Sequence, residues 1–158
     1  MLEKILVPLD GSKVGEAALP CVEDLISRLK PELQIEVTLF QVVSSLTYYV
    51  VAGEASARVP YTEKELEAIK QKAIDYLTKT SANLESKGTI IKTKVSTGSA
   101  ASEIVKAADE INAGVIAMST HGRSGLGRWA FGSVTDRVLR EANVPILMVR
   151  APKEEGKT

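Results

Sequence analysis

An open parallel α/β sheet with helices on both faces, folded as a single domain, is what this sequence predicts, and three features predict it. Five short apolar runs alternate with four helix-period segments, and a parallel strand pair needs a crossover of that kind. The runs are apolar at successive positions, as expected of strands covered on both sides. The length of 158 residues suits one domain at roughly 100 to 200 residues each. Such crossovers are right-handed. Ligands of these sheets sit beyond the carboxyl ends of the strands where the strand order reverses, which directs attention to the loops after strands one and four.

Residues 5–9 form strand one, followed by a turn at Asp10-Gly11-Ser12. Val14, Ala18, Val22, Leu25, Ile26 and Leu29 then recur at three- and four-residue steps, one stripe of a helix. Pro20 lacks an N–H, so it kinks this helix or lies close to its first turn; Pro31 ends it. Residues 35–43 are strand two by their β-branched content. Residues 44–60 show no helical period and contain Tyr48, Tyr49 and Gly53, so they read as a long connection, a class often functional or mobile.

Thr62 and Glu65 have capping-box spacing and open the longest helix, whose stripe of Leu66, Ile69, Ala73, Tyr76, Leu77 and Leu84 runs as far as Gly88. Residues 89–95 alternate weakly as strand three. Ser99 can cap a helix carrying Ile104, Val105, Ala108 and Ile111, and residues 115–118 are strand four. After a glycine-rich loop, Val134, Val138 and Leu139 mark the last helix, and Pro145, Ile146, Leu147, Met148 and Val149 form strand five. The expected organisation is a domain over residues 1–150 and a polar tail over 151–158.

Apolar residues make up 44% and charged residues 25%, which disfavours disorder and fibrous repeats. No apolar run approaches the roughly 20 residues of a membrane span and the first residues lack a signal-peptide layout, so a cytoplasmic, membrane-free protein is expected. Lys plus Arg and Asp plus Glu both number 20; without a basic excess, nucleic acid is not an expected partner. The single cysteine, Cys21, and single histidine, His121, exclude an internal disulfide and a Cys-His zinc site. Cys21 reads as a small buried apolar side chain.

Four glycines fall within residues 119–133, where Arg123 and Arg128 face no acid. Glycines without a Cβ let successive N–H groups curl around an anion, and the following helix N-terminus adds positive potential. This suits a polyphosphate; the alternative is a plain strand-to-helix connection. There is no Walker A motif and no dinucleotide fingerprint after strand one. Asp10 could accept ribose hydroxyls or approach a phosphate-bound metal, or be satisfied locally in an Asx turn or N-cap. His121 could act as a general base or make an ordinary loop hydrogen bond.

Val7-Pro8-Leu9-Asp10-Gly11-Ser12, Gly98-Ser99-Ala100-Ala101 and the 119–133 segment resemble the universal stress protein family over nearly the whole chain. The family's nucleotide motif is Gly, two residues, Gly, nine residues, Gly, then Ser or Thr; here Gly122, Gly132 and Ser133 fit, and Ser119 stands in place of the first glycine. The resemblance implies a Rossmann-like fold of the adenine nucleotide alpha hydrolase type, with strand order 3-2-1-4-5. It implies ATP as ligand, with ADP or AMP as alternatives, accompanied by Mg²⁺ or Mn²⁺. Asp10 and the backbone of Val42 would hold ribose and adenine, and Pro8 and Met118 would line the base. Gly122, Arg123, Gly132, Ser133 and Val134 would surround the phosphates, with Ser119 beside them. A homodimer through strand five, residues 145–149, is also implied, since that edge is an aggregation hazard unless another chain covers it.

The function expected is therefore a stress-response ATP-binding protein, a nucleotide-dependent dimeric switch with at most slow hydrolysis. Two alternatives stand beside it: a nucleotide-free dimeric adaptor, suggested by Ser119, and a genuine ATP hydrolase in which Asp10 or His121 assists water attack.

Overall fold

A computed structural model describes residues 2–29, 32–44, 46–84, 89–120 and 132–152. The first apolar run becomes β1 (Leu2–Pro8), in which Ile5, Leu6 and Val7 are buried. The helical stripe after it is broken in two, α1 (Lys13–Glu16) and α2 (Ala18–Arg28). Pro20 sits in the first turn of α2, where the N–H it lacks would have no intrahelical acceptor. Cys21 is half-buried rather than buried; the side chains that α2 buries are Ala18 and Val22.

β2 (Gln34–Val43) pairs in parallel with β1, placing Ile5 beside Val37 and Val7 beside Leu39. Residues 44–60 are not an irregular connection. Residues 47–60 form an antiparallel hairpin, β3 (Thr47–Ala52) and β4 (Ala55–Pro60). Its two-residue turn has Gly53 at φ 63°, a conformation that costs glycine little. Tyr and Val supply the β propensity, and the missing helical period marked a strand ribbon rather than a loop.

α3 (Glu63–Ser81) starts on the expected box: Thr62 Oγ1 accepts from Glu65 N at 3.3 Å, and Glu65 Oε2 accepts from Thr62 N at 2.8 Å. The helix stops at Ser81, short of the expected end; Leu84, still buried, lies in the turn that follows. β5 (Thr89–Thr97), α4 (Ala100–Ile111), β6 (Val115–Thr120), α5 (Ser133–Glu141) and β7 (Ile146–Arg150) complete the described chain. Ser99 holds the N-cap position of α4 without a capping bond; its hydroxyl accepts from Arg137 Nη1 at 3.2 Å instead. In α5 the buried side chains are Thr135 and Val138, while Val134 and Leu139 are exposed.

The parallel sheet has the order β5-β2-β1-β6-β7, which is 3-2-1-4-5 in the numbering of the five sequence-predicted strands. Alternate side chains feed two cores. Ile5, Val7, Val37 and Leu39 pack with Ala18, Val22 and Leu77 of α2 and α3; Leu6, Phe40, Ile116 and Met118 pack with Ile104, Ala108 and Val138 of α4 and α5. The order reverses between β1 and β6, whose carboxyl ends lie side by side. Ala151 is buried and its N–H donates to Thr120 O at 2.9 Å, so the packed body extends at least that far.

Candidate functional site

The chain leaves β1 through a turn that is tied down at each step. Leu9 N donates to Phe40 O at 2.7 Å, holding the β1 end against β2. Asp10 Oδ1 accepts from Ser12 N at 2.9 Å and from Ser12 Oγ at 2.5 Å, an Asx turn. Gly11 takes φ 83° within it. Ser12, not Asp10, is the N-cap of α1, accepting from Gly15 N at 3.0 Å. Among the described residues Oδ2 of Asp10 accepts no hydrogen bond, so the local turn uses one carboxylate oxygen and leaves the other.

Gly15 is required by close approach. A Cβ there would stand 2.7 Å from Asp10 Oδ1, inside van der Waals contact. Its carbonyl accepts from Ser119 Oγ at 2.6 Å, linking α1 to the end of β6 across 104 residues of sequence. The serine that replaces the motif's first glycine is thus a latch between two parts of the site. At the far end of α1, Glu16 Oε1 accepts from Tyr76 OH of α3 at 3.0 Å. Burial, then the hydrogen bond and charge of Glu16, push the Tyr76 phenol up to about 12.

These elements surround a cleft of about 310 Å³ at the carboxyl edge of the sheet, within the roughly 300–1,000 Å³ of small-molecule sites. Pro8, Leu9, Asp10 and Gly15 line it from the β1 side, Phe40 and Val42 from β2 and Ser44 just after it, Met118 and Ser119 from β6, Ala100 and Ile104 from α4, and Val134 and Thr135 from α5. One wall is apolar and one floor carries a carboxylate. The first turn of α5 adds main-chain N–H groups without intrahelical acceptors. Arg137 fixes the angle between α5 and α4, donating to Ser102 Oγ at 2.9 Å and Ser99 Oγ at 3.2 Å.

Two larger clefts, of about 470 Å³ between α3 and β5 and about 370 Å³ between the α1–α2 segment and α3, lie away from the strand-order reversal. Of the residues singled out by sequence, Pro8, Asp10, Val42, Met118, Ser119 and Val134 meet in the 310 Å³ cleft, and Gly132 and Ser133 open the helix beside it. A Cβ at Gly132 would meet no described atom within 4 Å. Gly122, Arg123, Arg128 and His121 lie outside the described residues. Leu9, Gly15, Phe40, Ser44, Ala100, Ile104 and Thr135 line the cleft without having been singled out as site residues by sequence. An isolated glycine inside a helical stripe was the one available signal, since such glycines often mark a close approach.

The sequence profile described as the universal stress protein family matches residues 1–150. A universal stress protein of Methanocaldococcus jannaschii is 33% identical over 156 residues, covering 98% of this chain and 86% of its own. A second universal stress protein of that organism is 30% identical over 159 residues. Its solved structure superposes with a TM-score of 0.64 at 26% identity, covering 96% of this chain and 98% of that one. A family member from Arabidopsis thaliana, solved with AMP bound, shares the fold with a TM-score of 0.64 at 13% identity, covering 97% and 94% of the two chains. With its profile matched across both core layers and the cleft, this chain belongs to the universal stress protein family.

Proposed function

We propose that this protein binds an adenine nucleotide, ATP in the first place, in the 310 Å³ cleft, and serves as a nucleotide-dependent switch in the stress response. The observation that carries the reading is convergence: a carboxylate, an apolar wall and an open helix N-terminus meet in one crevice at the strand-order reversal. Each matches a different part of a nucleotide. Val42, Phe40 and Met118 offer an apolar slot for the base, with Pro8 at its rim. The Asp10 oxygen left outside the Asx turn accepts ribose hydroxyls. The amides of Ser133, Val134 and Thr135 face the phosphates, and Gly132, where a Cβ would meet no described atom within 4 Å, leaves room for them. Gly122 and Arg123 complete the phosphate shell by the motif. The adenine nucleotide bound in the Arabidopsis family member supports the same ligand class here.

Among the described residues no group of three or more His, Cys, Asp or Glu is placed to hold a metal. Mg²⁺ or Mn²⁺ would therefore arrive on the phosphates, with Asp10 the nearest carboxylate in the cleft, and supply charge neutralisation there. We assign the protein a homodimer through β7, whose outer edge has no strand beside it among the described residues and whose Ile146, Leu147, Met148 and Val149 are only half-buried. No helix is long and apolar enough to cross a membrane among the described residues, and a cytoplasmic location belongs to the same proposal. Hydrolysis is at most slow, and occupancy rather than turnover is the signal.

The test is calorimetric titration of ATP, ADP and AMP into nucleotide-stripped protein. Micromolar binding of at least one is expected, and Asp10→Ala weakens it by about 10- to 100-fold, the worth of a hydrogen bond to a charged group. Stripped wild-type protein that takes up no adenine nucleotide would overturn the reading and favour the nucleotide-free adaptor.

A further inference from the structure

The β3–β4 ribbon is the part of the molecule that the nucleotide reading leaves unexplained. None of its strand residues is buried, and only Thr47 and Val59 are half-buried. Tyr49 is 67% exposed and Val51 71%. One face of the ribbon carries Tyr48, Val50, Ala52, Ala55, Ala57 and Val59, with no charge among them. Its root is fastened by the Tyr48–Tyr61 ring contact at 5.0 Å and by Tyr61 N donating to Leu46 O at 3.1 Å. A lone two-stranded hairpin is marginal in water; three or more strands with an apolar face are needed for independent stability. Exposed apolar area of this kind marks an interaction surface, and an unpaired edge is a template for another strand.

We infer that the ribbon is a self-association arm, in which β4 pairs antiparallel with β4 of a second copy of this chain about a two-fold axis at Ser56. The hairpin register decides which main-chain groups of β4 face β3. Ala52 and Ala55 close the two-residue turn, so they exchange hydrogen bonds, and along an antiparallel ladder alternate residues do the same. Ala55, Ala57 and Val59 therefore turn their main-chain groups toward β3, while Ser56 and Arg58 turn theirs to the outer edge, which no described strand pairs. Pairing about Ser56 sets Ser56 against the second copy's Ser56 and Glu54 against its Arg58. Pro60, which has no N–H to offer, falls outside that register.

Charge selects the occupant. Glu54 and Arg58 are the only ionisable side chains of residues 46–60 apart from the two tyrosines. In this register they meet their opposites twice over, once on each side of the axis. An isologous contact, in which i touches j and j touches i, neutralises both; an acidic or a basic peptide would leave one like-charged pair. The product is a four-stranded sheet, β3-β4-β4-β3, with a doubled apolar face. This contact is separate from the β7 edge and does not depend on nucleotide binding, so it can fail or hold on its own.

The test uses the full chain with Cys21→Ser and reads the contact by disulfide trapping. Ser56→Cys is expected to give a covalent dimer under mild oxidation, because directly paired Cα atoms lie about 5.5 Å apart. Val51→Cys, on the other strand, does not. Glu54→Arg or Arg58→Glu in the Ser56→Cys background turns two attractive pairs repulsive and lowers the trapped fraction about tenfold; the double reversal restores it. Monomeric Ser56→Cys protein, trapping no stronger than at Val51, or a double reversal that fails to restore would each overturn the arm. Exclusive trapping of a different protein from extract would overturn it as well. None of these outcomes alters the ATP titration, which reads the other proposal.

Discussion

Two neighbouring strands end at the same edge of the sheet and hand the chain on in opposite ways. After β1 the backbone enters a turn in which Asp10, Ser12, Gly15 and Ser119 hold one another through four hydrogen bonds, and the result is a fixed cradle. After β2 it enters a ribbon as rich in Tyr and Val as β2 is in Val, Leu and Ile, yet β2 is buried over most of its length and β3 is exposed. Local β propensity is similar in both; what differs is what the fold lays over them. The cradle is held by bonds within one chain and borders the cleft at the strand-order reversal. The ribbon has the composition of an interior strand and no interior of its own.

The buried and exposed strands should differ most in what their apolar side chains contribute to stability. Leu39→Ala in β2, where the side chain is wholly buried, should cost about 2–5 kcal/mol in denaturant unfolding. Val51→Ala in the ribbon should stay within about 0.5 kcal/mol of wild type in dilute protein. A comparable loss at Val51 would mean that the ribbon is already covered within one chain.

A smaller effect on stability but a clear one on binding is expected from Gly15→Ala. The new Cβ must move the Asp10 carboxylate, since the two would stand at 2.7 Å, while the helix gains about 1 kcal/mol of propensity that offsets the strain. The thermal midpoint should therefore move little, and ATP affinity should fall about tenfold. Unaltered affinity would detach Asp10 from the ligand.

The smallest effect concerns the far end of α1. The Tyr76 phenol keeps its proton in the folded chain up to about pH 12, against an ordinary value of 10.0. The folded state thus holds one more proton than the unfolded state between these values, and stability falls as pH rises through the window. The contribution is full below about pH 10 and gone above about 12. Tyr76→Phe should cost about 1 kcal/mol at pH 8, with the gap to wild type closing between pH 10 and 12 in urea unfolding. A gap independent of pH would show that neither burial nor Glu16 holds the proton on the phenol.

Much of this architecture was legible in the residues. The five apolar runs became the five parallel strands, Pro20 fell in a first turn, and the Thr62–Glu65 box capped its helix, because each depends on local chemistry. The ribbon was not legible as strand: apolar side chains on both of its faces erase the alternation that would have announced it, and a Gly-Glu turn is a weaker hairpin signal than Asn-Gly. The candidate site was legible where a motif fixes spacing, as at Asp10 and Ser119, which line the cleft, and Gly132 beside it. It was hidden where tertiary contact decides, as with Gly15, whose need for a bare Cα comes from the neighbouring Asp10 carboxylate, and with the Ser119 hydroxyl, whose acceptor lies on another element. The expected capping role of Ser99 failed for a related reason, because Arg137 from α5 claims its hydroxyl.

Amide-resolved NMR of this 17.0 kDa chain tests most directly the proposal that the crevice between the β1 and β6 ends takes an adenine nucleotide. On titrating ATP into stripped, isotope-labelled protein, the account expects saturable shifts concentrated at residues 9–15, 42–44, 118–120 and 132–135. Shifts that gather instead around Thr93 to Thr97 and Lys70, in the larger cleft beside α3, or that never saturate, would contradict it.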